Sequence, residues 1–124
     1  MIAVDTSSLI AYLAGEGGAD VEALDVALAN NQAHLPPVVL TEILSDAAAR
    51  RRLEPIVTSL PLLDITDGFW QRAAHTRSLV LKHRLRARLA DTLICQSCLD
   101  YDAPLITRDG DFRHFAKHCQ LMLI

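Results

Sequence analysis

Ile2-Ala3-Val4-Asp5-Thr6-Ser7-Ser8 is the stretch on which the reading of the whole chain turns. Residues 2–4 form a short apolar run with β-branched side chains at both ends, the pattern of a buried strand. The run stops on a carboxylate followed at once by hydroxyls. Leu9, Ile10 and Leu13 then recur at helical spacing, so Ser7 or Ser8 is expected to cap a helix. Asp5 thereby falls at the carboxyl end of a strand and faces a helix N-terminus, the place where open α/β sheets bind ligands. Taken alone, Asp5 is explained as readily by a cap or a turn. Its weight comes from the acids further along.

After the break at Gly15–Gly18, Asp20 is expected to cap a second helix with Val21, Leu24 and Leu28 inside. Ala33-His34-Leu35 reads as a short strand running into Pro36-Pro37, and a third helix is expected from Pro37 or Val38 through Ala49. Glu42 lies among its apolar positions Val39, Leu40, Ile43 and Leu44, where a boundary glutamate reaching toward water is the plain alternative to a site residue. Arg50 to Pro55 marks a bend before one more short helix through Ile56, Val57 and Leu60. Pro61–Thr66 reads as a strand, with Thr66-Asp67 capping a long helix from Gly68 to His83. Leu89-Ala90-Asp91-Thr92-Leu93-Ile94-Cys95 opens another helix, its Leu89, Leu93, Ile94, Cys98 and Leu99 directed to the core. Leu105-Ile106-Thr107, running into Arg108-Asp109-Gly110-Asp111-Phe112, repeats the strand, carboxylate and turn of residues 2–5, and Gln120–Ile124 is read as a last strand. Strands alternating with helices imply an α/β fold, a parallel sheet covered on both faces, in a single domain spanning 1–124.

With 51% apolar residues, the chain has apolar area in excess of what its own core needs, which points to an oligomer or a complex. No apolar run approaches a bilayer span and the start lacks a signal-peptide pattern, so no membrane partner and a cytoplasmic location are expected. The three cysteines Cys95, Cys98 and Cys119 then read as reduced thiols. A net charge of −3 excludes a generally basic nucleic-acid coat but not a local patch. Such a patch is present: Lys82, His83, Arg84, Arg86 and Arg88 stand close together, either a solvated helix end or a contact for phosphates.

In a parallel sheet all strand carboxyl ends share one edge. Asp5 and Asp109 leave strands there, and Glu42 and Asp91 lie near the starts of helices that open there, so four acids from distant stretches converge. Crowded carboxylates raise one another's pKa values, and the remedy is a hard cation bound through oxygen. Without thiolate or imidazole partners, Mg²⁺ or Mn²⁺ fits better than zinc. Acids with one or two such ions suit phosphodiester hydrolysis, and no side-chain nucleophile motif competes with that reading. Cys95 and Cys98 have redox spacing but fall inside a helix rather than at its start, and His114 with His118 lacks the second half of a zinc site.

These segments, in this order, resemble PIN-domain proteins, and in particular the small ribonuclease toxins of bacterial toxin–antitoxin pairs, the VapC type. The resemblance rests on Asp5-Thr6-Ser7, the helix with Glu42, Leu89 to Ile94, and Thr107 to Phe112. It implies a three-layer α/β/α sandwich, a Mg²⁺- or Mn²⁺-dependent endoribonuclease, an RNA substrate, a homodimer and a cognate antitoxin. It places the acidic catalytic and metal site on Asp5, Glu42, Asp91 and Asp109, with Asp111 as a fifth ligand, and assigns Thr6 and Thr107 to orienting carboxylates or water. Arg84, Arg86 and Arg88 are the expected RNA contacts, and His83 stands where relatives often carry glycine. The competing class is a non-catalytic interaction module whose acidic pocket receives a basic segment of a partner.

Overall fold

A computed structural model describes all residues, 1–124. Its centre is a parallel sheet of β1 (Ile2–Val4), β2 (Ala33–His34) and β3 (Leu105–Ile106) in the order β2-β1-β3. Ile2 pairs with Ala33 and Ala3 with His34 on one side, and Ala3 with Leu105 and Val4 with Ile106 on the other. Ala3, Val4, Leu105 and Ile106 are wholly buried, which is why these strands are continuously apolar rather than alternating. The stretch 61–66 and the C-terminus, both read as strands, extend the sheet by single parallel bridges only, Leu35 to Leu62 and Leu105 to Leu123. Leu35 N–H donates to the Pro61 carbonyl and Leu105 N–H to that of Met122, but neither segment stays beside the sheet long enough to continue the ladder.

Helices α1 (Thr6–Leu13) and α2 (Ala19–Ala29) carry the chain from β1 to β2. Helices α3 (Pro37–Ser45), α4 (Ala47–Val57), α5 (Phe69–Leu81) and α6 (Leu89–Asp100) carry it from β2 past β1 to β3, and α7 (Phe112–Cys119) follows. The two crossovers run in opposite directions, so right-handed connections place them on opposite faces, giving the three-layer α/β/α sandwich. The core joins Leu9, Leu24, Val39, Ile43, Leu53, Val80, Ile94, Phe112 and Phe115 to the sheet. Each large side chain so buried contributes about 1.5–3 kcal/mol relative to exposure.

Several expected boundaries move, for local reasons. The cap of α1 is Asp5 itself, because the hydroxyls of Ser7 and Ser8 are turned to Asp5 and Asp20. Gly18, not Asp20, precedes α2. The expected continuous helix to Ala49 breaks at Asp46, whose carboxylate accepts from Ala48 N at 3.0 Å and Ala49 N at 2.9 Å and so starts α4. No bend follows at Pro55, since buried Leu53 and Val57 hold one face of α4 across it. Gly68 in a left-handed conformation, rather than Thr66 or Asp67, precedes α5. Leu89, expected in the core, sits at the first position of α6 and is 61% exposed. The left-handed residue after α5 is Arg84, at φ 58°, one residue beyond His83.

Two arginines tie neighbouring elements together. Arg72 on α5 forks onto Asp100 of α6 at 2.7 and 3.0 Å, and Gln96 adds an amide donor to the same carboxylate at 2.8 Å. Arg108, just beyond β3, forks onto Asp20 at 2.8 and 3.0 Å and reaches Glu16 at 2.7 Å and the Gly17 carbonyl at 3.1 Å. Gly18 must be glycine for this clamp: its φ is 141°, and a Cβ would lie 2.8 Å from Asp20 Oδ1. The Arg108 bonds hold the Asp20 carboxyl down at about 2, against burial that would raise it. A carboxyl lowered in the fold contributes stability above its ordinary pKa and loses it as pH falls. Asp20→Ala should therefore cost about 1–3 kcal/mol at neutral pH. Denaturant titrations should show that difference shrinking as pH drops from about 4 toward 2.

Candidate metal centre

Because β2 and β3 flank β1 on opposite sides, the topological switch point lies at the carboxyl ends of β1 and β3. Asp5 emerges there from β1. It is 5% exposed, and its Oδ2 accepts from Ser7 Oγ at 2.7 Å and Thr107 Oγ1 at 2.8 Å. Thr107 Oγ1 also accepts from Asp109 N at 3.1 Å, and Asp109 Oδ1 accepts from Asp111 N at 2.9 Å. The segment after β3 is thus folded by hydroxyl and carboxylate turns two residues wide, which aim Asp109 and Asp111 across the sheet edge. Asp91, in the first turn of α6, completes the group: one carboxylate oxygen each from Asp91, Asp109 and Asp111 lie within 4.8 Å of one another.

Glu42 is not part of that close trio. It is exposed on α3 and accepts from Thr6 Oγ1 at 3.0 Å, so it is connected to Asp5 through the next residue in the chain. Thr6 and Glu42 also border a groove of about 420 Å³ between α1, α3 and α4, lined by Ile10, Ile43, Arg52 and Leu53. Thr107 orients Asp5, whereas Thr6 orients Glu42. Ser7, read only as a cap, is the second hydroxyl on Asp5; the Asp-x-Ser spacing is the signal for such a bond. Arg86 and Arg88 approach Asp111 Oδ2 at 3.9 and 4.0 Å with largely exposed side chains, while Arg84 makes no such contact.

Asp91 carries the strain of the arrangement. Its Oδ2 is buried with no hydrogen-bond partner, an arrangement that costs a carboxylate several kcal/mol unless a cation or proton relieves it. Burial, with Asp109, Asp5 and Asp111 nearby and only Arg88 opposing, pushes its carboxyl up to about 6. An all-oxygen donor set with one orphaned oxygen fits a hard divalent cation, with Asp91, Asp109 and Asp111 as the residues to hold it and Asp5 beside them. The thiols offer nothing comparable: Cys95, Cys98 and Cys119 are free, and burial pushes Cys98 up to about 12 and Cys95 higher. His118 stacks on His83 instead of joining a ligand set.

Fold and site together define an α/β protein with an acid cluster at the switch point. The chain belongs to the PIN-domain family, whose model matches residues 2–118. Its fold is similar to that of VapBC2 from Rickettsia felis, in a crystal structure with a DNA fragment from their promoter: TM-score 0.79, 17% identity, covering 100% of this chain and 98% of the other. It is likewise similar to FitAcB from Neisseria gonorrhoeae, with TM-score 0.71, 19% identity and coverage of 100% and 96%. No curated protein matches the chain significantly in sequence.

The Asp91 environment yields a stability signature. A carboxyl whose pKa is raised in the fold weakens the native state once it ionises, so metal-free protein should lose stability as pH rises from about 4 through about 6. Thermal melts in chelator should show Asp91→Asn above the wild type at pH 7 and level with it at pH 4. Added Mg²⁺ should raise the melting temperature of the wild type more than that of the variant.

Proposed function

We propose that the chain is a divalent-metal-dependent endoribonuclease, the toxin of a toxin–antitoxin pair, hydrolysing RNA phosphodiester bonds. The observation that carries this reading is the orphaned, buried Asp91 Oδ2 beside Asp109 and Asp111 at the switch point. Mg²⁺ or Mn²⁺ bound there supplies Lewis-acid activation of water and neutralises charge at the phosphate. The chain's own residues do the positioning. Asp91 presents its oxygens from α6, and Asp109 and Asp111 present theirs from the segment after β3, which Thr107 fastens to Asp5 at the end of β1. Asp5 and Glu42 complete the acid set, each held by a hydroxyl from its neighbourhood. Arg86 and Arg88, on the rim beside Asp111, are placed to receive substrate phosphates.

Membership of the PIN-domain family and the likeness in fold to VapBC2 and FitAcB support a toxin with a cognate antitoxin partner. Exposed Trp70 and Leu89, which meet Leu93 in a shallow apolar hollow, support a homodimer or another apolar partner. The proposal carries with it a cytoplasmic location and no membrane partner; no helix is long and apolar enough to cross a membrane. As part of the same proposal, residues 1–124 are read as a single domain.

A second reading has one observation in its favour: two guanidinium groups already lean toward Asp111, as they would in a module whose acidic pocket receives a basic segment. Activity separates the two. RNA incubated with the protein and Mg²⁺ or Mn²⁺ should be cut, and EDTA should stop it. Asp5→Asn and Asp91→Asn should each lower the cleavage rate by at least about a hundredfold, the scale of losing an organised electrostatic group, with circular dichroism unchanged. Full activity in both variants would defeat the nuclease assignment. Arg86→Ala with Arg88→Ala should weaken RNA binding and make its dependence on salt shallower by about 0.7 for each phosphate that is no longer neutralised.

A further inference from the structure

The cations of this acidic protein are not spread evenly. From Leu81 to Ala90 and from Phe112 to Ile124 there is no aspartate or glutamate, and these two stretches hold Lys82, Arg84, Arg86, Arg88, Arg113 and Lys117, six of the twelve Lys and Arg residues. The fold lays the stretches side by side. At one end Arg86 and Arg88 approach Asp111, the residue preceding α7. At the other end the imidazoles of His83 and His118 stack with centroids 3.9 Å apart and planes 21° from parallel. Segment 82–88 therefore runs along α7 from its first residue to its last turn. Phe112 and Phe115 are buried beneath, while Arg113 and Lys117 are exposed.

We infer that this strip is the track of the RNA chain beyond the cleavage point, with Lys82, His83, Lys117 and His118 as its distal contacts to the phosphate backbone. The inference rests on the nuclease reading and adds to it a direction for the substrate. A strand cut at the acid cluster carries further phosphates on either side, and these need cations that are free or only loosely paired. Arg108 is held by Asp20 and Glu16 at 2.8 and 2.7 Å, whereas Arg86 and Arg88 stand 3.9 and 4.0 Å from Asp111 and Lys82 and Lys117 make no ion pair, so the strip beginning at Arg86 and Arg88 offers a path with available charge. The eight residues of α7 span roughly 12 Å, the length of a few nucleotides of extended strand. Beyond burial, the groups that hold His118 below its usual pKa are His83, Lys117, His114 and Lys82. The exposed imidazole of His83 adds a flat ring on which a base can stack.

Binding measured without cleavage tests the track separately from the chemistry. A fluorescent oligouridylate of about ten nucleotides, held in EDTA, is titrated with the wild type and with Lys82→Ala/Lys117→Ala, using anisotropy as readout. The double variant should bind roughly tenfold more weakly at about 0.1 M salt, and its plot of log affinity against log salt should be shallower by about 1.4, the change expected when two fewer phosphates are neutralised. Lys82→Arg/Lys117→Arg should retain wild-type affinity. Equal affinity and slope in the alanine variant would overturn the track, as would failure of the arginine variant to bind. Displacement of the oligonucleotide by polyglutamate at equal charge concentration would also overturn it, by showing a surface for an acidic protein. A wild type that binds with the expected slope but cuts nothing when Mg²⁺ is added supports the strip and defeats the nuclease reading.

Discussion

Carboxylates from distant parts of the chain meet at one sheet edge, and the cost of that meeting governs the surrounding structure. Asp91 is the extreme member: partly withdrawn from water, faced by Asp5, Asp109 and Asp111, and left with an unpartnered oxygen. Such a group is relieved either by taking up a proton or by a cation bound from outside the chain. Asp5 and Glu42 are held in place by neutral hydroxyls rather than by cations. Ser7 and Thr107 fix Asp5, and Thr6 fixes Glu42, so the negative field of the site is oriented without being cancelled.

Rigidity is supplied away from that field. Arg108 stands between Thr107 and Asp109 in sequence, yet its guanidinium turns outward to Asp20 and Glu16 and pins the segment after β3 to the loop before α2. Arg72 does the same for α5 and α6 through Asp100. In both places a planar fork meets a carboxylate with two hydrogen bonds, a geometry that lysine cannot supply. The site is thereby preorganised by contacts that take none of its own ligand atoms. Six of the other cations gather on the strip beside α7, and only Arg86 and Arg88 among them approach the acid cluster, at 3.9 and 4.0 Å from Asp111.

Local patterns carried much of this information. Ile2–Val4 and Leu105–Ile106 are short, apolar and followed by acids, and they form the paired strands β1 and β3 of the parallel sheet. The left-handed turn is another matter: it falls on Arg84, a residue type with no preference for that conformation, so nothing in composition announced it. Pro61–Thr66 has strand chemistry but only one bridging residue, because strand length depends on how far a neighbour stays within hydrogen-bonding distance. Asp46 had the chemistry of a cap all along, but surrounding residues favoured helix on both sides and hid the break. Leu89 is apolar at helical spacing, and its exposure reflects which face of α6 meets the core.

The sequence by itself determined which residue types are available and in what local setting: acids immediately after apolar strands, hydroxyls two residues from them, cations in stretches free of acids. Those features depend on spacing of a few residues, which the covalent chain enforces. Only the tertiary structure decided which acids share a space. Asp91, Asp109 and Asp111 form the close trio, Asp5 stands beside it under two hydroxyls, and Glu42 is linked through Thr6. That grouping is set by the order β2-β1-β3 and by the packing that brings the first turn of α6 to the sheet edge. A difference of a few ångströms between sharing a cation and merely facing it is fixed by packing of the whole core, and no local pattern encodes it.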